Sequence, residues 1–386
     1  MIPLGIIVTI LVLLVLVYAV VKLRNMYKDS DNIVWIVALS IAVLIATDTW
    51  ISFYGQNVRA FFDKYRYLFT FIPLVVFLGY MWLDRKHRKE ESEKQKIKAA
   101  FKQYLTPALI DEILRDPSKL KLGGTRRNTT IMFSDIRGFT TLSESLTPEE
   151  LVHFINNYLT AMTDIILERR GTVDKYIGDA IMAFWNAPVD EPAHIELACN
   201  AALENVEALD TVELPAVFKE KNLPRPAMGI GLNTGEVVVG NVGSEQRFNY
   251  TALGDHVNLA SRLESLTKHY GVHIIVSDST YQIVKSKVFV RTLDNVAVKG
   301  KKQPVKIHEL LRRPKEKHDL LFYTTWEDAI VKYNEKDFVG AQKLFGKCEE
   351  LRPHDKVTKL YLARCVEFRK SPPGKDWDGV FVAKEK

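Results

Sequence analysis

Cysteine is nearly absent from the 386 residues: Cys199, Cys348 and Cys365 stand far apart. That excludes a disulfide framework and any metal site built on close cysteine spacing, and it suits a reducing compartment for the soluble part. A strong excess of one charge is also missing. Lys and Arg number 53 against 47 Asp and Glu, a formal net charge of +6. So even a balance gives no reason to expect a nucleic-acid partner. The N-terminus lacks the marks of a cleaved signal peptide. It begins Met-Ile-Pro rather than with a basic segment, and its apolar run ends in Tyr18, Lys22 and Arg24 rather than a small-residue cleavage site.

What is present first is a membrane-like N-terminal quarter. Ile2 to Val21 carries no charge over twenty residues, and a helix of that length rises about 30 Å, the thickness of a bilayer core. Weaker apolar stretches follow at 33–54 and 67–83, the second run holding Asp48 and the third Pro73. Asp48 reads as a headgroup-level residue beside Trp50 and Tyr54 or as a functional group at membrane depth. The two short loops carry three basic residues each (Lys22, Arg24, Lys28; Arg59, Lys64, Arg66), so they do not orient the segment. The stretch Arg85 to Lys98, with seven Lys or Arg, does. By the positive-inside rule it puts the remainder in the cytosol. The expectation is a multi-pass anchor over 1–84 in contact with lipid, at a plasma or inner membrane, with outside loops too short for a sensor domain. Residues 85–122 read as a charged helical linker, with Thr106-Pro107 as an N-cap and first-turn proline. It is either a passive spacer or a two-stranded element that sets the pose of two copies.

From 123 to 312 the pattern becomes mixed α and β. Residues 128–135 are β-rich and alternate, ending in Asp135. Thr147-Pro-Glu-Glu150 has the form of a capping box. The helix after it shows Leu151, Phe154, Ile155, Tyr158, Leu159, Met162, Ile165 and Ile166 on one face, and Gly171 ends it. Thr172–Ile177 and Ala180–Trp185 then read as strands joined at Gly178-Asp179. If the first strand pairs beside this hairpin, Asp135 and Asp179 share one end of the sheet. Two carboxylates there, with a phosphate substrate, suit two divalent ions, and the amides after Asp135 could hold phosphate oxygens. On spacing alone each aspartate reads equally as a strand end or a turn residue.

Three segments carry a resemblance. Phe133-Ser-Asp-Ile-Arg-Gly-Phe-Thr140, Asp174-Lys-Tyr-Ile-Gly-Asp179 and Tyr250-Thr-Ala-Leu-Gly-Asp-His-Val-Asn-Leu-Ala-Ser-Arg262 look like three motifs of the class III adenylyl cyclase family, in the family's order. The resemblance spans about Arg127 to Leu311. It implies an α+β, ferredoxin-like palm domain that turns ATP into cyclic AMP and pyrophosphate, working as a homodimer with two Mg²⁺ or Mn²⁺ ions per site. Asp135 and Asp179 match the metal-binding aspartates, with the Ile136 carbonyl beside them. Gly138, Phe139 and Thr140 match the phosphate loop. Lys175 matches the residue that donates to an adenine ring nitrogen, where guanylyl relatives carry Glu. Thr251 matches the second purine-reading position, where many relatives have Asp; the subgroup with Thr includes members that respond to bicarbonate. A hydroxyl can both accept and donate, so it discriminates less firmly than a carboxylate. Asn258 and Arg262 match the pair that positions ribose and stabilises transition-state charge, four residues apart on one helix face. Val298-Lys-Gly-Lys-Lys302 resembles the phosphate-contacting lysine loop, with Lys299 the contacting residue and Lys301 the second choice. Because the metal residues and the Asn–Arg pair face each other from different subunits in that family, two copies of this chain would build two complete sites.

Rival readings fare less well. A guanylyl cyclase is opposed by Lys175. A diguanylate cyclase would need Gly-Gly-Asp/Glu-Glu-Phe at the turn, where this chain has Tyr176-Ile-Gly-Asp-Ala180. A silent nucleotide-binding membrane scaffold is opposed by the full set Asp135, Asp179, Lys175, Asn258 and Arg262. At the C-terminus, 318–370 holds Ala329, Tyr333, Ala341, Phe345 and Pro353 in a weakly tetratricopeptide-like helix pattern. A helical cap on the catalytic domain is the preferred reading over a protein-partner array. Residues 371–386 read as an extended tail.

Overall fold

The computed structural model describes residues 82, 85–93, 95, 121–297, 303–314, 316–374 and 377–382. Apart from Trp82, the three expected spans lie outside the described residues, as does most of the linker. Among the described residues no helix is long and apolar enough to cross a membrane. Residues 85–93 are helical and exposed, as their dense mixed charge requires. The chain divides into two compact units, 1–101 and 102–386.

The first half of the second unit is built around a long strand, β1 (Gly123–Ile136), that runs antiparallel to β4 (Met228–Gly243) along its whole length. On its other side β1 pairs with β3 (Ala180–Trp185), the second arm of a hairpin with β2 (Thr172–Ile177). The hairpin turns at Gly178, whose φ of 66° is left-handed and suits a residue without a Cβ. Between β1 and β2 come α1 (Phe139–Glu144) and α2 (Pro148–Glu168), and between β3 and β4 come α3 (His194–Leu209) and the short α4 (Val217–Glu220). The order β2-β3-β1-β4 with α2 and α3 is the split βαβ arrangement of a ferredoxin-like palm.

Local chemistry explains the helix. Thr147 accepts from the Glu150 amide while the Glu150 carboxylate accepts from the Thr147 amide, so the capping box is complete. Phe154, Tyr158, Met162 and Ile166, each four apart, are fully buried against the sheet. Strand alternation divides the core in two. Met132, Ile136, Ile181 and Trp185 face α2 and α3, whereas Ile131, Met182 and Phe184 face the opposite side with Val237, Val239 and Ala252.

That opposite side is covered by β5 (Phe248–Leu253), paired to the far end of β4, and by α5 (Asp255–Tyr270). Helix α5 lies directly on β4. A Cβ added at Gly231 would meet the Glu264 amide nitrogen at 2.2 Å and the Ala260 carbonyl oxygen at 2.3 Å. The sheet continues through β6 (Ile274–Ser277), β8 (Val305–Leu311) and β7 (Phe289–Ala297), with α6 (Asp278–Val284) between β6 and β7.

The C-terminal helices α7 (Lys317–Asn334), α8 (Phe338–Leu351) and α9 (Lys356–Lys370) are not a separate module. Ala329, Tyr333, Ala341 and Phe345 share one apolar core with Leu259, Leu263 and Tyr270 of α5 and with Leu293 and Ile307 of the sheet. Burying each of the large side chains stabilises by about 1.5–3 kcal/mol, so the apolar faces of these helices are satisfied by α5 and the sheet. Polar anchors fix the seam. Arg291, 2% exposed, bonds Glu309 and Asp355 and sits 4.8 Å from the Trp326 ring. Asp294 accepts from the Tyr270 hydroxyl and from Arg364, both at 2.7 Å. The tail beyond 371 does more than extend: Val380–Val382 forms β9, parallel to β7, at the edge of a nine-stranded sheet.

Candidate active site

The site begins at the C-terminal end of β1. Register places Ser134 opposite Ile181 and Asp135 opposite Gly229, so Asp135 lies beside the hairpin turn that carries Asp179. The Ile136 amide donates to Asp179 Oδ2 at 3.1 Å. The two carboxylates expected to meet do meet. Burial first, then the neighbouring Asp179, pushes Asp135 up to about 7 from its usual 3.8. A third acidic group, Glu264 on α5, adds to the repulsion and is itself pushed up to about 6, chiefly by burial. Glu264 was not apparent as a neighbour from the sequence, because it sits two residues beyond the third motif.

This donor set fits a hard divalent cation. Carboxylates that repel one another in a half-buried pocket gain most from a positive ion between them. Among the described residues no group of three or more His, Cys, Asp or Glu is arranged as a metal cage. Mg²⁺ commonly binds through one or two carboxylates, completing its shell with water and substrate phosphate, which suits Asp135, Asp179 and the Ile136 carbonyl.

Next to the pair, Gly138 takes a left-handed φ of 69° and opens α1, with Phe139 and Thr140 as its first residues. The first amides of a helix have no intrahelical acceptor, so they are available to an anion. The Arg137 amide is not, because it donates to the Ala227 carbonyl at 2.8 Å. The Arg137 side chain turns away to the Thr267 and Val272 carbonyls under the end of α5.

A second cluster forms where β2 meets β5. Lys175 Nζ donates to Thr251 Oγ1 at 3.3 Å. The two residues matched to purine reading are therefore adjacent within one chain. Between them sits Asp174, whose side chain is 0% exposed. It accepts from the Thr251 hydroxyl and from the Ala252 amide, and its Oδ1 lies 3.1 Å from Lys175 Nζ. Consecutive strand residues normally point to opposite faces. Here the register slips between Val173 and Lys175, and such a bulge lets Asp174 and Lys175 serve one cluster. Simple alternation gave no sign of this, although Asp174 stood inside the motif.

Asn258 and Arg262 lie on α5. Asn258 is exposed, whereas Arg262 is half-buried, its Nη1 enclosed and without a hydrogen-bond partner among the described residues. At about 100° per residue, Arg262 and Glu264 stand roughly 160° apart around the helix. One face of α5 thus attends to the carboxylate pair of its own chain, and the Asn258–Arg262 face turns away from it. Lys299 and Lys301 lie outside the described residues.

Residues 124–311 match the family described as the adenylate and guanylate cyclase catalytic domain. The adenylate cyclase of Anabaena cylindrica is 40% identical over 189 residues, 48% of this chain and 37% of that protein. Among solved structures, the adenylyl cyclase CyaB from P. aeruginosa is 34% identical, covering 50% of this chain and 98% of that one, with a TM-score of 0.46. The guanylyl cyclase Cya2 is 39% identical, covering 51% and 98%, with a TM-score of 0.45. The chain spans only 13%, 28% and 37% of the length of three curated relatives it matches.

Proposed function

We propose that this protein is a membrane-anchored adenylate cyclase that converts ATP to 3′,5′-cyclic AMP and pyrophosphate at sites shared between two copies of the chain. The observation that carries the reading is the Lys175–Thr251 pair, 3.3 Å apart on separate strands, in a domain that also brings Asp135 and Asp179 together. The anchor rests on the uncharged run Ile2 to Val21 and the basic stretch after residue 84, which put the catalytic domain on the cytoplasmic side.

Lys175 donates to the adenine ring and Thr251 accepts from its amino group. The amides of Phe139 and Thr140 hold phosphate oxygens. Asp135 and Asp179 would hold Mg²⁺ or Mn²⁺, which when bound lowers the pKa of the attacking 3′-hydroxyl and offsets charge on the triphosphate. Arg262, whose enclosed Nη1 has no hydrogen-bond partner among the described residues, grips the phosphoryl oxygens of a nucleotide seated on the second copy, with Asn258 orienting the ribose and Lys299 beside the phosphates. No side chain acts as a dedicated general base.

The test is direct. Purified protein with Mn²⁺ or Mg²⁺ is incubated with ATP, and in parallel with GTP, and cyclic nucleotide is measured. ATP is the substrate turned over, and Asp135→Ala lowers kcat by roughly two to three orders of magnitude, the scale of losing a principal electrostatic partner of the transition state. Product from GTP alone would favour the guanylyl alternative. No product from either, with Asp135→Ala indistinguishable, would leave a non-catalytic binding protein.

A further inference from the structure

We propose that Asp174 is a positioning residue that fixes the direction of the hydrogen bonds in the base-recognising pair, and so sets the preference for ATP over GTP. The inference rests on the reading of Lys175 and Thr251 as that pair.

A threonine hydroxyl is ambivalent, with one proton to give and two lone pairs to receive. A carboxylate only accepts. Because Thr251 Oγ1 lies in hydrogen-bond contact with Asp174 Oδ2, its proton is committed to Asp174. The hydroxyl then has acceptor capacity alone. One lone pair receives Lys175 Nζ at 3.3 Å, which leaves one for a ligand. The ammonium is held to Asp174 Oδ1 by charge at 3.1 Å and still has N–H to direct outward. What the cluster offers a base is therefore one acceptor beside one donor. Adenine presents an amino donor beside a ring-nitrogen acceptor and matches it. Guanine presents a carbonyl acceptor beside a ring N–H donor and mismatches at both points.

Asp174 can impose this because it is enclosed and held from two sides. Its side chain is 0% exposed, and the Ala252 amide donates to the same oxygen at 3.3 Å. The bulge between Val173 and Lys175 aims it at the cluster. Without it, the Thr251 hydroxyl rotates freely and can donate to the guanine carbonyl.

The experiment compares kcat/KM for ATP and GTP in the full-length protein and its variants, with folding checked by thermal melting. In Asp174→Ala the ATP-to-GTP ratio falls about tenfold, the scale of one discriminating hydrogen bond. Asp174→Ser, a polar filler in case the alanine variant does not fold, gives the same loss. In Asp174→Asn, where a carbonyl oxygen can still take the Thr251 proton and the Ala252 amide, the ratio stays within about threefold of the parent while kcat falls, because the amide nitrogen faces Lys175. In a Thr251→Val background, Asp174→Ala leaves the ratio unmoved. An unchanged ratio in both Asp174→Ala and Asp174→Ser, or an equal fall in the Thr251→Val background, overturns the proposal. If the parent protein turns over neither nucleotide, the cyclase reading has failed separately. The same comparison is then made with the affinities of 3′-deoxy-ATP and 3′-deoxy-GTP, where an unchanged affinity ratio again overturns the role of Asp174.

Discussion

At the scale of residues, the carboxylate pair links proton, metal and stability. Asp135 holds its proton more tightly in the folded, metal-free protein, up to about 7, than in the unfolded chain at 3.8. Its stabilising contribution is therefore complete at acid pH and is lost as pH rises through about 7. A divalent cation competes for the same oxygens, so its effect has the opposite slope. Thermal melting in EDTA should show a fall in Tm as pH rises through about 7. The increment in Tm on adding Mg²⁺ should grow over the same range. Asp135→Asn should reduce both slopes, leaving the part that Glu264, pushed up to about 6, contributes. The meeting of Asp135 with Asp179 was legible from strand and turn, and Lys175 and Thr251, which the motifs paired, are adjacent. Glu264 and the role of Asp174 were not, since one arrives by helix packing and the other by a strand bulge.

Elements show the same division. The strands Thr172–Ile177 and Ala180–Trp185 are found where their β-rich runs and the Gly178-Asp179 turn put them. The capping box sets the start of α2 as read. Strand β1 begins earlier, at Gly123, because pairing with β4 rather than its own composition extends it. Strand β9 has only three residues, too few for a period to be seen. Close packing of α5 on β4 is a property of elements as well. Gly231→Ala should cost about 1–3 kcal/mol in chemical denaturation, since its methyl meets backbone atoms that cannot rotate aside. It should also lower turnover, because α5 carries Asn258 and Arg262. Gly346 is a control within α8, where a Cβ meets nothing within 4 Å. Its replacement by Ala should be neutral or stabilise by up to about 1 kcal/mol.

For the molecule as a whole, the C-terminal helices share one core with α5 and the sheet. An amphipathic face read from sequence reports that something covers it but not what, which is why 318–370 could be read either as a cap or as a partner-binding array. The seam is tested at Arg364. Replacing it with Ala leaves Asp294, 4% exposed, without its cation, and should cost about 3–5 kcal/mol in denaturation. Tyr270, which ends α5, then donates to a carboxylate that Arg364 no longer holds, so activity should fall with stability. The proposed sharing of sites between two copies is tested at the scale of the whole molecule too. Arg262→Ala and Asp179→Ala proteins, each inactive alone, should recover up to about a quarter of parental activity when mixed, since random pairing of two protomers leaves half the dimers mixed with one intact site each. No recovery on mixing would count against sites built from two copies.

The last strand gives the molecule a sidedness. By pairing with β7, Val380–Val382 shields one margin of the sheet from further strand addition. At the other margin, β2 keeps Tyr176 and Ile177 about half exposed, 47% and 53%, next to Lys175 and close to β5, where Leu253 is 49% exposed. One margin of the sheet is thus closed by β9, whereas the apolar side chains of β2 and β5 stand exposed at the other.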